Sequence, residues 1–331
     1  MAYSNEIYNK AKRILEKRHD TAVMEADIRS AQIKEEIPEI NKIQAGLQQV
    51  GLEISQLFFY KQNTDEKVAE LRARSEALVE ERSRLLKANG YRENAMKPQF
   101  VCEMCEDKGF INGRMCTCHK QLLKDLMRKE VSRFAPLDKC TFDNFVLDYY
   151  SEQPMENAII PRQRAEKIFD TCRKYAQNFS LNSKNLIFFG GAGLGKTHLS
   201  LAIANVVINK GFNVCYGTSQ NICDDLQSEQ FGRTDNINYT KNQVLGCDLL
   251  VLDDLGTEID NQYSIATVYN IVNSRLLAGR PTIISTNYTF SKLEEKYDKR
   301  ITSRLTGEYI PFYFIGNDIR NCLISFVNLS Y

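Results

Sequence analysis

Residues 190–197 read Gly-Gly-Ala-Gly-Leu-Gly-Lys-Thr and follow directly on the apolar run Leu186–Phe189. We expect the apolar run to be a strand and a helix to begin at Lys196, which is the strand–loop–helix context of a phosphate-binding P-loop. The glycines let the backbone curl so that successive N–H groups face the phosphates, and the N-terminus of the next helix adds positive potential. The sequence therefore predicts a nucleotide-binding α/β domain.

The residues of this loop are assigned to the nucleotide. Lys196 is expected to reach the β- and γ-phosphates of ATP, and Thr197 to place its hydroxyl on Mg²⁺. The alternative, an ordinary glycine-rich turn, is disfavoured because the whole pattern G-x-x-x-x-G-K-T is present in context. The residues expected to bind the nucleotide here are Gly190, Gly191, Ala192, Gly193, Leu194, Gly195, Lys196, Thr197 and His198.

A second apolar run, Leu249–Leu252, ends in two acids about 50 residues further on. Such a strand end is the expected Walker-B partner of a P-loop. Asp253 is predicted to hold Mg²⁺ through water, and Asp254 to orient or deprotonate the attacking water. Glu258 is the alternative for the second role, and a solvated strand end is the non-functional interpretation.

Further polar residues follow in the order of an ATPase site. The predicted strand Thr282–Thr286 ends at Asn287, which is placed to bind the attacking water or the γ-phosphate. Arg300 and Arg304 share a helix face. Such a pair is ordinarily a solvated surface, but in an assembled ATPase one arginine can reach a neighbour's γ-phosphate. Arg320 is a candidate for a similar role within the same chain.

The region from Phe142 onward alternates strands with helices, which predicts a parallel sheet with helices on both faces. The predicted strands are Asn185–Phe189, Asn213–Tyr216, Leu249–Asp253, Thr282–Thr286 and Tyr309–Phe314. The predicted helices lie near 154–178, 196–209, 219–228, 262–278 and 291–305.

Two cysteine pairs flank a hairpin signal, an Asn-Gly step at 112–113 between apolar residues. Two thiolate pairs at the ends of a short hairpin can close a tetrahedral zinc site. Such a site supplies on the order of 10–16 kcal/mol of binding free energy, enough to fold a small knuckle that has almost no core. His119 is the alternative to Cys118, and free buried thiols are the non-metal interpretation. The predicted zinc ligands are Cys102, Cys105, Cys116 and Cys118.

The first 95 or so residues repeat apolar side chains at steps of three and four, which predicts amphipathic helices packed on one another. Pro38 stands where a new helix can begin. The step Asn63-Thr64-Asp65 indicates a break followed by an N-cap, so two or three long antiparallel helices are expected. The segment is interpreted as a docking arm for a partner protein; the alternative is a hairpin that stabilises only itself.

Composition narrows the remaining possibilities. The chain has 331 residues and a formal net charge of +1, so no global basic field indicates nucleic-acid binding, and any DNA contact must come from a local patch. The first residues show no signal peptide, and we find no run of about 18 apolar residues, so a cytoplasmic protein without a membrane span is expected. With ten cysteines and no secretion signal, metal ligation is favoured over disulfides.

The motifs in this order resemble those of bacterial replicative helicase loaders of the DnaC/DnaI type, which are AAA+ ATPases related to IstB-type ATPases. The resemblance rests on the order of six features: the helical region, the knuckle, the P-loop, Leu-Asp-Asp-Leu-Gly at 252–256, Ser-Thr-Asn at 285–287 and Ser-Arg-Leu at 303–305. The predicted segments are a coiled-coil-like partner-binding arm (1–99), a zinc knuckle (100–120), a linker helix (121–140) and an AAA+ ATPase domain (141–331).

The resemblance implies an ATPase in which Arg304 is the arginine finger and Arg320 the second sensor. It implies that the arm and knuckle bind the hexameric replicative helicase. The ATPase domain would assemble with copies of itself in an ATP-dependent way and touch single-stranded DNA during replication initiation. The alternatives are an IstB-type transposition helper, which usually lacks a knuckle, and a nucleotide-dependent scaffold with little turnover.

Overall fold

The computed structural model describes residues 3–59, 65–155, 158–233, 238–297 and 299–320. It divides into two compact units, one formed by Lys12–His119 and the other by the residues up to Ala11 together with those from Lys120 onward. Among the described residues, no helix combines the length and the apolar character that a membrane crossing requires.

Three long helices form the N-terminal region, namely α1 (Asn5–Glu36), α2 (Glu39–Phe59) and α3 (Asp65–Ala88). Pro38 directly precedes α2, as predicted, while Asn63 and Thr64 of the predicted break lie outside the described residues. α2 and α3 pack antiparallel, because Glu53 pairs with Arg74 at 3.9 Å while Gly46, earlier in α2, lies against Leu78, later in α3. The expectation of long antiparallel helices is confirmed for this pair.

A two-stranded hairpin follows the helices, with β1 (Phe110–Ile111) antiparallel to β2 (Arg114–Met115). Its turn residues Asn112 and Gly113 have φ values of 49° and 77°, which is the left-handed pair that a two-residue hairpin turn needs. The next helix, α4, runs from Thr117 to Ser132. It begins four residues before the predicted start of the linker helix (121) and ends eight residues before its predicted end (140), so Cys118 and His119 lie in its first turn.

The second unit is built on a five-stranded sheet in the order β4-β5-β6-β3-β7, with every neighbouring pair parallel. Helices flank this sheet, so the predicted α/β class is confirmed. The strands are β3 (Asn185–Phe189), β4 (Val214–Thr218), β5 (Leu249–Asp253), β6 (Thr282–Thr286) and β7 (Tyr309–Tyr313). The helices are α5 (Pro161–Gln177), α6 (Lys196–Asn209), α7 (Ser219–Gln230), α8 (Tyr239–Gly246), α9 (Gln262–Leu277), α10 (Phe290–Lys296) and α11 (Lys299–Glu308).

Several predicted bounds in this unit need correction. β4 is Val214–Thr218 rather than Asn213–Tyr216, and β7 ends at Tyr313 rather than Phe314. The helix expected near 154–178 begins only at Pro161, because proline fixes a helical φ and lacks the N–H that a first turn leaves unpaired. The single helix expected near 291–305 is two helices. Tyr297 separates them in an extended conformation (φ −109°, ψ 153°) that turns its side chain into the core.

The strand order decides where the polar strand ends meet. β6 lies between β5 and β3, and all three strands run parallel. The P-loop after β3, the acids ending β5 and the asparagine after β6 therefore share one edge of the sheet. Ligands of open α/β sheets bind at this carboxyl edge. β5 is buried along its whole length, which anchors its terminal acid rigidly.

Candidate active site

The P-loop joins β3 to α6, and a hydrogen bond from a tyrosine stabilises it. The Tyr150 hydroxyl donates to the Leu194 carbonyl over 2.9 Å. Gly195 has a φ of 82°, and a Cβ there would come within 2.7 Å of the same hydroxyl. Glycine is therefore required both for the backbone conformation and for the close approach.

Lys196 opens α6 with only 5% of its surface exposed. Its ammonium donates to the carbonyls of Gly190 (2.9 Å) and Gly191 (2.7 Å) and to Asn287 Oδ1 (2.7 Å). Burial lowers the pKa of Lys196, although the carboxylates of Asp254 and Asp253 oppose that effect. The Lys196 ammonium therefore lies against the P-loop backbone. Phosphate oxygens can take the place of these three oxygens as its hydrogen-bond acceptors.

The two predicted magnesium ligands lie together. The Thr197 hydroxyl donates to both oxygens of Asp253, at 3.2 Å (Oδ1) and 2.9 Å (Oδ2). Tyr216 donates to Oδ2 over 2.8 Å, and Ser285 donates to Oδ1. Burial, followed by the negative charge of Asp253, raises the pKa of Tyr216, so Tyr216 remains a donor. Carboxylate and hydroxyl oxygens are ligands that suit Mg²⁺.

Asp254 follows in the left-handed conformation, with a φ of 51°, which is rare for a residue with a Cβ and is found at active sites. Its N–H donates to Ser285 Oγ over 3.0 Å, and its Oδ1 accepts from Asn287 Nδ2 over 3.3 Å. Burial and then the neighbouring Asp253 raise the pKa of Asp254, against the opposing charge of Lys196. Asn287 thus bridges the P-loop lysine and the second acid.

Glu258 is buried and fully engaged elsewhere. Its carboxylate accepts from the N–H of Gly256 (3.0 Å) and from the hydroxyls of Ser219 and Tyr297, and it pairs with Lys296 at 3.4 Å. Burial by itself raises the pKa of Glu258, but the hydroxyls of Ser219 and Tyr297, a backbone hydrogen bond and the charge of Lys296 together outweigh it, so the net pKa is lowered. These contacts stabilise the loop after β5, which disfavours Glu258 as the carboxylate that orients or deprotonates the attacking water.

Arg304 packs on α9. Its guanidinium donates to Asn273 Oδ1 over 2.9 Å and lies 5.0 Å from the ring centroid of Tyr269, while that of Arg300 lies 5.5 Å from the same ring. Within the part of the chain that the structure describes, the hydrogen bonds of Arg304 run to α9 and α11, and none reaches the P-loop. The structure does not bring this arginine to the site of its own chain.

Arg320, in contrast, belongs to a segment that contacts the P-loop. The Ile319 N–H donates to the Gly193 carbonyl over 3.1 Å, and Arg320 Nε lies 3.7 Å from Asp318 Oδ1. The charge of Arg320 acts to lower the pKa of Lys196. The structure therefore places this candidate beside the phosphate-binding loop.

The His198 side chain contacts a different part of the chain from the other residues predicted to bind the nucleotide. Its Nε2 lies 2.9 Å from the Thr141 carbonyl, and its ring meets Phe145 edge-on at 5.2 Å. These contacts are with the segment that precedes α5. His198 therefore braces α6 and is not assembled with Lys196 and Thr197.

The four predicted zinc ligands converge, with all their sulfur atoms within 4.8 Å of one another. The Sγ atoms of Cys102 and Cys116 are 3.8 Å apart, and those of Cys105 and Cys118 are 3.4 Å apart. A tetrahedral zinc with Zn–S bonds of about 2.3 Å requires sulfur–sulfur separations of about 3.8 Å. The donor set therefore fits zinc in both chemistry and spacing.

His119 is not a member of the group of four sulfurs. It is buried, meets Phe110 edge-on at 5.3 Å and has a pKa lowered by burial. Cys118 and His119 are consecutive on α4, and consecutive helical residues point about 100° apart. This geometry favours Cys118 as the fourth ligand.

Three residues that hold the predicted metal-binding and catalytic residues in place were not identified from the sequence. Asp107, 1% exposed, accepts from the N–H groups of Val101 (2.8 Å) and Cys102 (3.1 Å) and so fixes the first knuckle turn. Tyr216 and Ser285 hold Asp253, as described above. Ser285 was detectable in principle, because it lies two residues before Asn287; no short motif indicates Asp107.

The fold and the residues at the sheet edge are those of a P-loop nucleotide-binding α/β domain. Residues 166–306 match the model of the IstB-like ATP binding protein family. The chain is 28% identical over 162 residues to the replicative helicase loader DnaC of Buchnera aphidicola subsp. Baizongia pistaciae, covering 48% of this chain and 65% of that protein. It is 25% identical over 166 residues to DnaC of Escherichia coli, covering 50% and 62%.

The match thus covers just under two thirds of each DnaC's own length. A crystal structure of the DnaC helicase loader superposes with a TM-score of 0.46 at 22% identity, over 55% of this chain and 99% of that one. The sequence matches to DnaC confirm the resemblance to helicase loaders of the DnaC type that was seen in the motifs.

Proposed function

We propose that this protein is an ATP-hydrolysing AAA+ helicase loader that binds a replicative hexameric DNA helicase and helps to place it on single-stranded DNA. The observation that carries the proposal is the meeting of Lys196, Thr197, Asp253, Asp254 and Asn287 at one sheet edge, in a chain similar to DnaC. The cytoplasm is the proposed location.

In the proposed mechanism the P-loop N–H groups and Lys196 bind the phosphates of ATP. Thr197 and Asp253 would hold Mg²⁺, which neutralises charge on the β- and γ-phosphates when it is bound. Asp254 orients the attacking water and accepts its proton. Asn287 holds Asp254 at the phosphate end of the site.

Hydrolysis is proposed to depend on assembly. Arg304 lies on the surface formed by α9 and α11, where it can meet the γ-phosphate held by a neighbouring copy. Arg320 lies beside its own P-loop and would act from the same chain. An arginine at the transferring phosphate stabilises the transition-state charge, so contact between copies would switch turnover on.

The N-terminal parts are proposed to select the partner. Cys102, Cys105, Cys116 and Cys118 would hold zinc and thereby fold the knuckle (100–120). The arm (1–99) and this knuckle would bind the helicase. The linker segment (121–140), whose first part is α4, would connect them to the ATPase domain (141–331), which would contact single-stranded DNA.

An IstB-type transposition helper is the second candidate, because residues 166–306 match the IstB-like model. The sulfur cluster favours the loader, because IstB-type helpers usually lack such a knuckle. A nucleotide-dependent scaffold with little turnover is a third possibility, and a measurement of phosphate release tests it.

Asp254→Asn is expected to lower phosphate release by about 100-fold or more, because a positioned base contributes roughly 10²–10⁴-fold to a rate. Nucleotide binding should be retained, since Lys196 and Thr197 are untouched. The assay measures phosphate release with single-stranded DNA and helicase present. Asp260→Asn, an exposed acid on the same loop, is the control and should match the wild type. Equal, negligible rates for wild type and Asp254→Asn would favour the scaffold.

A further inference from the structure

Asp253 is fixed by the strands on both sides of its own. The Tyr216 hydroxyl donates from β4 to Oδ2 over 2.8 Å, and the Ser285 hydroxyl donates from β6 to Oδ1. β4 and β6 are the two neighbours of β5 in the sheet. With Thr197 also donating, three hydroxyls from three elements converge on one carboxylate that is 2% exposed.

Ser285 also links the two acids. Its Oγ accepts from the Asp254 N–H over 3.0 Å while its hydroxyl donates to Asp253. Asp254 holds a φ of 51° next to this contact. One buried hydroxyl therefore sets both the carboxylate of the first acid and the backbone of the second.

We propose that Tyr216 and Ser285 are positioning residues that orient Asp253 for magnesium-bound nucleotide, with Ser285 also fixing Asp254. The inference rests on the proposed ATPase function. Fixed hydroxyl donors restrict the rotation of a carboxylate, and partners that orient a ligand in this way typically change metal affinity or activity by 10–100-fold when removed. A residue needed only for packing at 216 would require a ring but no hydroxyl.

Tyr216→Phe keeps the ring and removes the hydroxyl, so it isolates this contact. The measurement is the binding of a fluorescent non-hydrolysable ATP analogue to the full-length chain across a magnesium titration and in EDTA. The magnesium concentration for half-maximal binding should rise about 10-fold, with affinity in EDTA unchanged. The control is Tyr175→Phe, which removes a hydroxyl that donates to the Lys184 carbonyl over 2.8 Å. It should leave the titration unchanged.

Ser285→Ala should shift the magnesium titration in the same direction and also lower turnover, because Asp254 loses its anchor. If thermal unfolding shows that this variant does not fold, Tyr216→Phe decides alone. A Tyr216→Phe titration equal to that of the wild type, with or without lost thermal stability, would overturn the inference and leave the ATPase proposal standing. Wild-type binding without any magnesium dependence would overturn both.

Discussion

Lys196→Ala should lower ATP affinity by at least about 100-fold, because a charge-assisted hydrogen bond is worth about 1.5–3 kcal/mol and this ammonium can make more than one with the phosphates. The ammonium donates to Gly190, Gly191 and Asn287, so the substitution also leaves these three acceptors without that donor. Titration with a fluorescent ATP analogue measures the effect, with thermal unfolding run alongside.

Lys210→Ala is the matched control for this substitution. Lys210 lies at the other end of α6, where its ammonium donates to the carbonyls of Gln177 (2.7 Å) and Phe179 (3.1 Å). It should bind nucleotide as the wild type does. A Lys196→Ala protein that stays folded and binds ATP within a few-fold of the wild type would contradict the assignment of residues 190–197 as the phosphate-binding loop.

Loss of zinc should unfold the knuckle. Structural zinc supplies on the order of 10–16 kcal/mol, and the two-residue strands β1 and β2 leave Phe110 and Ile111 exposed, so little core remains without it. Purified protein should contain about one zinc per chain. Cys105→Ser should abolish that zinc and the hydrogen-exchange protection of residues 100–119, while peptides covering β3 and α6 stay protected.

Cys140→Ser provides the control for the zinc experiment, because Cys140 is a half-buried cysteine outside the sulfur cluster. It should retain both zinc and protection. Protein that is purified without metal and still protects residues 100–119 would refute the zinc site.

Much of the α/β fold could be predicted because its central strands are short and end in polar signals. β3 and β5 have the predicted bounds, since parallel strands buried on both faces appear as nearly continuous apolar stretches. β6 also has the predicted bounds, although three of its five residues are polar. The same order along the chain placed Lys196 and Asn287 in one site, and the structure joins them at 2.7 Å.

What the sequence could not predict depends on tertiary contacts. α8 is mostly polar and buries only Val244, so it shows no helical apolar pattern. The break at Tyr297 exists because its side chain binds a buried carboxylate across the fold. Tyr216 reaches Asp253 only because β4 pairs with β5. No local sequence motif predicts the order of the strands in the sheet.

A nucleotide-driven helicase loader should capture a purified replicative helicase when the full-length chain is immobilised, and the capture can be measured with and without ATP. We expect the helicase to be retained through the arm (1–99) and knuckle (100–120). We also expect ATP to change the retained amount for the wild type but not for Lys196→Ala. No retention by a zinc-loaded chain with arm and knuckle intact would contradict the proposed loader function.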